Sequence, residues 1–173
     1  AMNNGQVFEA FNLAALWKLP VLYIIENNMY GMGTSVNRAA AGSDLYKRGE
    51  PFGIKGGLVD GMNVFKVIEA AQKAGDYVRG GNGPFILEVQ TYRYRGHSMS
   101  DPAKYRTKEE LESYKINDPI EIASEEIIKK RIDLKKELEK INKKIIEEIK
   151  EAADYALNSP FPNNDDLFTN IYV

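Results

Sequence analysis

The 173-residue chain contains no cysteine, which excludes disulfides, thiolate nucleophiles and sulfur-ligated metal centres. It has one histidine, His97, so a multi-histidine metal site is excluded as well. It has no long hydrophobic run. The longest, Val21 to Ile25, falls far short of the ~20 residues a membrane span needs, so no membrane association is expected. It also lacks a basic excess. The formal net charge is -2, so no nucleic-acid partner is expected and any anion site must be local. What remains is ordinary for a folded domain: 43% hydrophobic and 28% charged residues.

Hydrophobic spacing divides the chain in two. Val7, Phe8, Phe11, Ala14 and Ala15 recur at helical intervals, predicting a helix from about Asn4 to Trp17 that Leu19-Pro20 stops. Val21-Leu22-Tyr23-Ile24-Ile25 is apolar on both faces, as a buried parallel strand is. Residues 37–57 read as irregular, with a short helical turn near Ser43 to Lys47. A second strand is expected at Leu58-Val59-Asp60-Gly61. A helix should follow over Asn63 to Arg79, turning Val64, Val67, Ile68, Ala71, Gly75 and Val78 inward. A third strand should run from Phe85 to Thr91. This alternation predicts an α/β fold with a mainly parallel sheet flanked by helices. Ligands of such folds bind beyond the carboxyl ends of the strands, where Asn27 to Gly33 and Tyr92 to Tyr105 emerge.

Residues 1–106 are therefore read as the α/β part and residues 107–173 as a helical extension and tail. Thr107-Lys108-Glu109-Glu110 has capping-box spacing, and Asp118-Pro119 suits a helix start. From Leu134 to Ala156 an apolar stripe repeats at intervals of 4-3-4-4-3-4. It predicts a helix of about 24 residues packed on its own domain, with packing against a partner helix as the alternative. The tail from Ser159 reads as extended.

Two segments hold residues suited to chemistry. In Glu26-Asn27-Asn28-Met29-Tyr30-Gly31, amide and backbone carbonyl oxygens are hard ligands of the kind Mg²⁺ prefers, although Asn-Asn after a strand also makes an ordinary turn. In Tyr92-Arg93-Tyr94-Arg95-Gly96-His97-Ser98, guanidinium and imidazole groups suit phosphate, and the imidazole also suits proton transfer. A basic surface loop is the plainer reading of that run.

Taken together, residues 4–20, Glu26 to Ser35, Val59-Asp60-Gly61-Met62 and the run from Gln90 to Thr107 resemble the alpha-subunit family of the pyruvate dehydrogenase decarboxylase component. That family lies within the thiamin diphosphate-dependent 2-oxo acid dehydrogenases. The resemblance covers nearly all of residues 1–120 and implies the C-terminal half of such a subunit. It implies the thiamin diphosphate-binding fold, with thiamin diphosphate and Mg²⁺ as cofactors. Asn27-Asn28 would end the family's cofactor motif, whose opening Gly-Asp-Gly would lie just before Ala1. Asn28 would give Mg²⁺ its side-chain oxygen and Tyr30 its backbone carbonyl, while Ala1 would lie against the cofactor. His97 would meet the diphosphate and the substrate as the catalytic residue, with Arg93 and Arg95 ordering its loop. Asn28, Tyr30 and His97 are then expected in one crevice.

The implied reaction is oxidative decarboxylation of pyruvate with reductive acetylation of a lipoyl group. The implied partners are a beta subunit, in an alpha2beta2 heterotetramer, and a lipoylated acyltransferase core. The chain alone, without the upstream aspartate, is expected to be inactive. Branched-chain 2-oxo acids or acetoin are the alternative substrates, and a non-catalytic scaffold is the alternative of another class. Ser98, and Ser35 after it, match positions that kinases modify in mitochondrial relatives. The bacterial form would be cytoplasmic and a eukaryotic one would lie in the mitochondrial matrix.

Overall fold

A computed structural model describes residues 1–172. Helix α1 (Gly5–Leu16) starts where Asn4 accepts a hydrogen bond from the Gln6 amide, which satisfies one of the helix's orphan donors. The predicted face is the one that turns inward. Phe11 is buried and meets Tyr23 edge-to-face with ring centroids 4.8 Å apart. Phe11, Ile25, Leu45, Ile54 and Ile86 form the core on this side of the sheet.

The sheet has three parallel strands in the order β1 (Leu22–Asn27), β5 (Phe85–Gln90), β4 (Lys55–Asp60). Helix α3 (Val64–Arg79) joins β4 to β5, and Asn63 caps it by accepting from the Phe65 and Lys66 amides. The fold is thus mixed α/β with a parallel sheet flanked by helices, as the alternation predicts.

Several boundaries and faces differ from the expectation. β4 begins at Lys55 rather than Leu58, because Gly56-Gly57 masks the strand pattern. Gly56 has a packing reason. A Cβ there would come within 2.6 Å of the Tyr46 carbonyl oxygen, in the 3-10 segment Leu45–Phe52 that lies on the strand. That segment is longer than the turn expected near 43–47. β1 is not buried on both faces: it is an edge strand, and Ile24 is 58% exposed. On α3 the buried residues are Ala74, Gly75 and Val78, whereas Val64 and Ile68 are exposed. A hairpin of β2 (Tyr30–Gly31) with β3 (Thr34–Ser35), and the single turn α2 (Val36–Ala39), form where only loop was expected.

Beyond the sheet come α4 (Lys108–Lys115), α5 (Pro119–Lys130) and α6 (Lys135–Asn158). The chain divides into two compact units, Ala1–Glu125 and Glu126–Val173, so the first reaches past residue 106 and takes in α4. In the second, α6 has the predicted length of 24 residues and no buried residue. The tail is not wholly extended, since Asn163 caps a 3-10 turn over Asn164–Phe168. Among the described residues, no helix is long and apolar enough to cross a membrane.

Candidate functional site

β1 and β5 end together, with Asn27 level with Gln90. Just past the end of β1 the chain turns sharply. The Asn27 side-chain oxygen accepts from the Met29 amide at 3.1 Å, and the Asn28 oxygen accepts from the Tyr30 amide at 3.3 Å. Met29 takes a left-handed φ of 70° between them. Asparagine favours such turns because its amide oxygen replaces a backbone acceptor. Each amide oxygen has two lone pairs, so one turn bond leaves Asn28 able to meet a second partner.

Asn27 is itself clamped from below. Its Nδ2 donates to Glu88 Oε1 at 2.7 Å, and Glu88 Oε2 accepts from the Tyr46 amide at 3.0 Å. Glu88 is fully buried. The sequence reading passes over it, although a lone carboxylate in the apolar strand Phe85-Ile86-Leu87-Glu88-Val89 signals a buried partner.

The turn opens onto a crevice of about 660 Å³, a size suited to a cofactor-sized ligand. Ala1, Asn28 and Tyr30 all line it, and Ile25, Val36 and Leu45 supply apolar wall. His97 is not among the lining residues. Three of the four residues expected to meet cofactor are therefore gathered, and the fourth stands apart on the 92–105 loop.

That loop is fastened to the β2–β3 hairpin. Arg93 donates from Nη2 to the Met32 carbonyl at 2.8 Å and to the Tyr105 hydroxyl at 3.0 Å, and its Nη1 lies 3.3 Å from His97 Nδ1. Asp101 Oδ2 accepts from the His97 amide at 2.7 Å and from the Tyr105 hydroxyl at 2.9 Å. These bonds to amides, first the His97 amide and then the Ala103 amide, hold the Asp101 carboxyl below its ordinary value. Gly96 is required here, because a Cβ would run into the Asp101 carbonyl oxygen. His97 is exposed, as are Arg95 and Ser98, whose hydroxyl lies 3.1 Å from that of Ser100. Arg93 thus bonds both the hairpin and its own loop, whereas Arg95 is exposed.

Helix α4 braces the same region. Thr107 accepts from the Glu110 amide, which is half of the expected capping box. The Glu110 carboxylate does not return to the cap. It accepts from the Tyr30 hydroxyl at 2.9 Å and the Tyr92 hydroxyl at 2.9 Å instead. Arg106 donates to the Arg93 and Tyr94 carbonyls and lies over the Tyr92 ring at 5.3 Å. Glu110, Tyr92 and Arg106 are supports that sequence reading misses, because their partners lie far off in the chain.

Burial, then the bond to Glu110, pushes the Tyr30 phenol from its ordinary 10.0 up to about 12. Tyr92 is raised for the same reasons. The folded chain keeps these protons more tightly than the unfolded chain, so stability is complete below pH 10 and falls as pH rises toward about 12. The expected result is a melting temperature that drops between about pH 10 and pH 12, with a shallower drop in Tyr30→Phe. Equal pH slopes for the two chains, followed by circular dichroism, would refute it.

An open parallel sheet with a crevice and oxygen donors at its carboxyl end defines an α/β ligand-binding protein. The chain belongs to the family described as dehydrogenase E1 component, whose model matches residues 1–165. It is 54% identical over 173 residues to the pyruvate dehydrogenase E1 component subunit alpha of Rickettsia bellii, covering all of this chain and 53% of that protein. It is 51% identical over 174 residues to the Rhizobium meliloti protein of the same name, covering all of this chain and 50% of the relative. The mitochondrial counterpart in Dictyostelium discoideum is 49% identical over 175 residues, covering all of this chain and 46% of the relative. The chain spans about half the length of the curated relatives it matches.

Proposed function

We propose that this chain is part of the alpha subunit of a thiamin diphosphate-dependent pyruvate dehydrogenase. The observation that carries the reading is the Asn27-Asn28-Met29-Tyr30 turn, which brings Asn28 and Tyr30 to one crevice with Ala1. It occurs in a chain about half identical to relatives named for that subunit.

The donor chemistry fits Mg²⁺. Among the described residues, no group of three or more His, Cys, Asp or Glu side chains gathers to hold a metal, so a cation here would depend on neutral oxygens. The Asn28 amide oxygen and the Tyr30 carbonyl are such donors, and Mg²⁺ takes the rest of its shell from ligand phosphates and water. When bound, thiamin diphosphate supplies the carbanion and electron sink for decarboxylation. The chain's own part is to hold the diphosphate end through Asn28 and Tyr30, to lay the Ala1 backbone against the cofactor, and to keep water out with the apolar wall. His97 is assigned proton handling at the substrate, with Asp101 holding its backbone amide and Arg93 beside its Nδ1. A beta-type subunit completes the site, and a lipoyl group on an acyltransferase core receives the two-carbon unit.

The test is to co-express a complete alpha chain carrying these residues with its beta partner and follow carbon dioxide release from pyruvate and from a branched-chain 2-oxo acid. Release from pyruvate that needs both Mg²⁺ and thiamin diphosphate is the expected outcome. Release from the branched-chain acid alone would overturn the substrate, and release from neither would overturn the reading.

A further inference from the structure

The crevice has a second polar wall besides the Asn27–Tyr30 turn. It is the segment from Ala1 to Asn3, all of which lines the crevice. That segment lies in neither helix nor strand, so discrete bonds hold its place. One bond closes it on itself, since the Asn4 amide donates to the Ala1 carbonyl at 2.9 Å. The others reach outside it. Arg48 Nη1 donates to the Met2 carbonyl and to the Asn3 side-chain oxygen, each at 2.6 Å. Asn3 Nδ2 in turn donates to the carbonyl of Ala39, the last residue of α2, at 2.7 Å.

A guanidinium Nη carries two hydrogens, so one nitrogen can serve both acceptors at once. Its planar group fixes the two directions, which a rotating ammonium does not. A charged donor also makes the stronger kind of hydrogen bond. Arg48 is half-buried, which limits the water that competes for these acceptors.

Arg48 belongs to the 3-10 segment Leu45–Phe52, and that segment also holds the other wall. The Tyr46 amide donates to Glu88, whose other oxygen accepts from Asn27 at the foot of the turn. Leu45 is buried in the core and lines the crevice. Three of four consecutive residues, Leu45, Tyr46 and Arg48, therefore touch three parts of one crevice. The two walls lie more than twenty positions apart in the chain, yet both are tied to this one segment.

We propose that Arg48 is a positioning residue for the cofactor. It holds the Ala1–Asn3 wall in place, on the same support that holds the Asn27 turn. The proposal rests on the reading that this crevice takes thiamin diphosphate with Mg²⁺. A wall bonded in advance does not have to be ordered when the ligand arrives, so Arg48 acts on affinity. Once cofactor saturates the site, the wall is ordered in every molecule and turnover no longer depends on Arg48.

The test uses the complete alpha–beta enzyme carrying Arg48→Ala, Asn3→Ala, both together, or Arg48→Lys. Isothermal titration with thiamin diphosphate at saturating Mg²⁺ should show each single alanine variant binding about tenfold more weakly. The double variant should lose little more than Arg48→Ala alone, because both substitutions break one link. Arg48→Lys keeps a charged donor and should recover part of the loss. Turnover of pyruvate at saturating cofactor should stay within about twofold of the unsubstituted enzyme. In the cofactor-free enzyme, amide hydrogen exchange over residues 2–4 should rise about tenfold in Arg48→Ala, with β5 as protected as before.

Unchanged cofactor affinity in both Arg48→Ala and Asn3→Ala would overturn the proposal. Losses that add fully in the double variant would overturn it too, since the two residues would then act separately. A loss of protection throughout β5 would make Arg48 a support of the whole fold and overturn it as well. Asn3 is exposed, so Asn3→Ala breaks the link without disturbing the core. Failure of the unsubstituted enzyme to bind thiamin diphosphate with Mg²⁺ would instead overturn the reading of the crevice, and Arg48's part with it.

Discussion

Glu88→Ala is expected to lower the unfolding free energy of the chain by about 3–5 kcal/mol. Glu88 is fully exposed to protein and not at all to water, and each carboxylate oxygen has its own donor, Asn27 Nδ2 and the Tyr46 amide. Truncation orphans both donors at about 1–3 kcal/mol each and leaves a void between β5 and the 3-10 segment. Glu88→Gln keeps the volume and one acceptor, so its loss should be about half as large. Urea denaturation reads both variants as a shift in midpoint at constant slope. A loss under about 1 kcal/mol for Glu88→Ala would mean that the buried network is not what fixes the Asn27 turn.

In the complete alpha–beta enzyme, Asn28→Ala is expected to raise the Mg²⁺–thiamin diphosphate concentration needed for half-saturation by about 100-fold or more. The substitution removes an oxygen donor and one of the two turn bonds that aim the Tyr30 carbonyl. Isothermal titration with cofactor and Mg²⁺ separates binding from turnover. Asn28→Asp keeps an oxygen at the same place and should recover much of the affinity. Unchanged binding in Asn28→Ala would remove this residue from the metal shell and leave the crevice without its polar anchor.

The parts of this fold legible in the sequence are those with local causes. Asn4 and Asn63 announce helix starts because a cap acts within three residues, and the α6 stripe gives its length because helical period accumulates over six turns. Asn28 and Tyr30 are legible as candidates through the Glu26 to Ser35 motif, and Ala1 through its place after that family motif's expected opening; all three line the crevice. What stayed hidden depends on distance along the chain. Glu110 reads as a capping residue until Tyr30, eighty positions earlier, takes its carboxylate. Gly56-Gly57 reads as a break until Tyr46 requires the space. Exposure was misjudged at Ile24, Val64 and Ile68 because periodicity tells which residues share a face, not whether anything covers it. His97 was legible as the sole imidazole, yet its standing apart from the crevice follows from Arg93 and Asp101, whose bonds no spacing rule foresees.

The strand order has a consequence in time as well as in space. β4, α3 and β5 are neighbours in sequence, so that unit closes through a short crossover soon after its residues are made. β1 precedes both in the chain and, among the described residues, pairs with β5, some sixty positions later, as the Asn27–Glu88 bond spans 61 residues. During synthesis the edge of β1 that meets β5 therefore waits until Gln90 has emerged. Closing so long a loop slows folding, and an unpaired strand edge invites association in the meantime. β5 ends that wait by moving into the centre of the sheet, between β1 and β4.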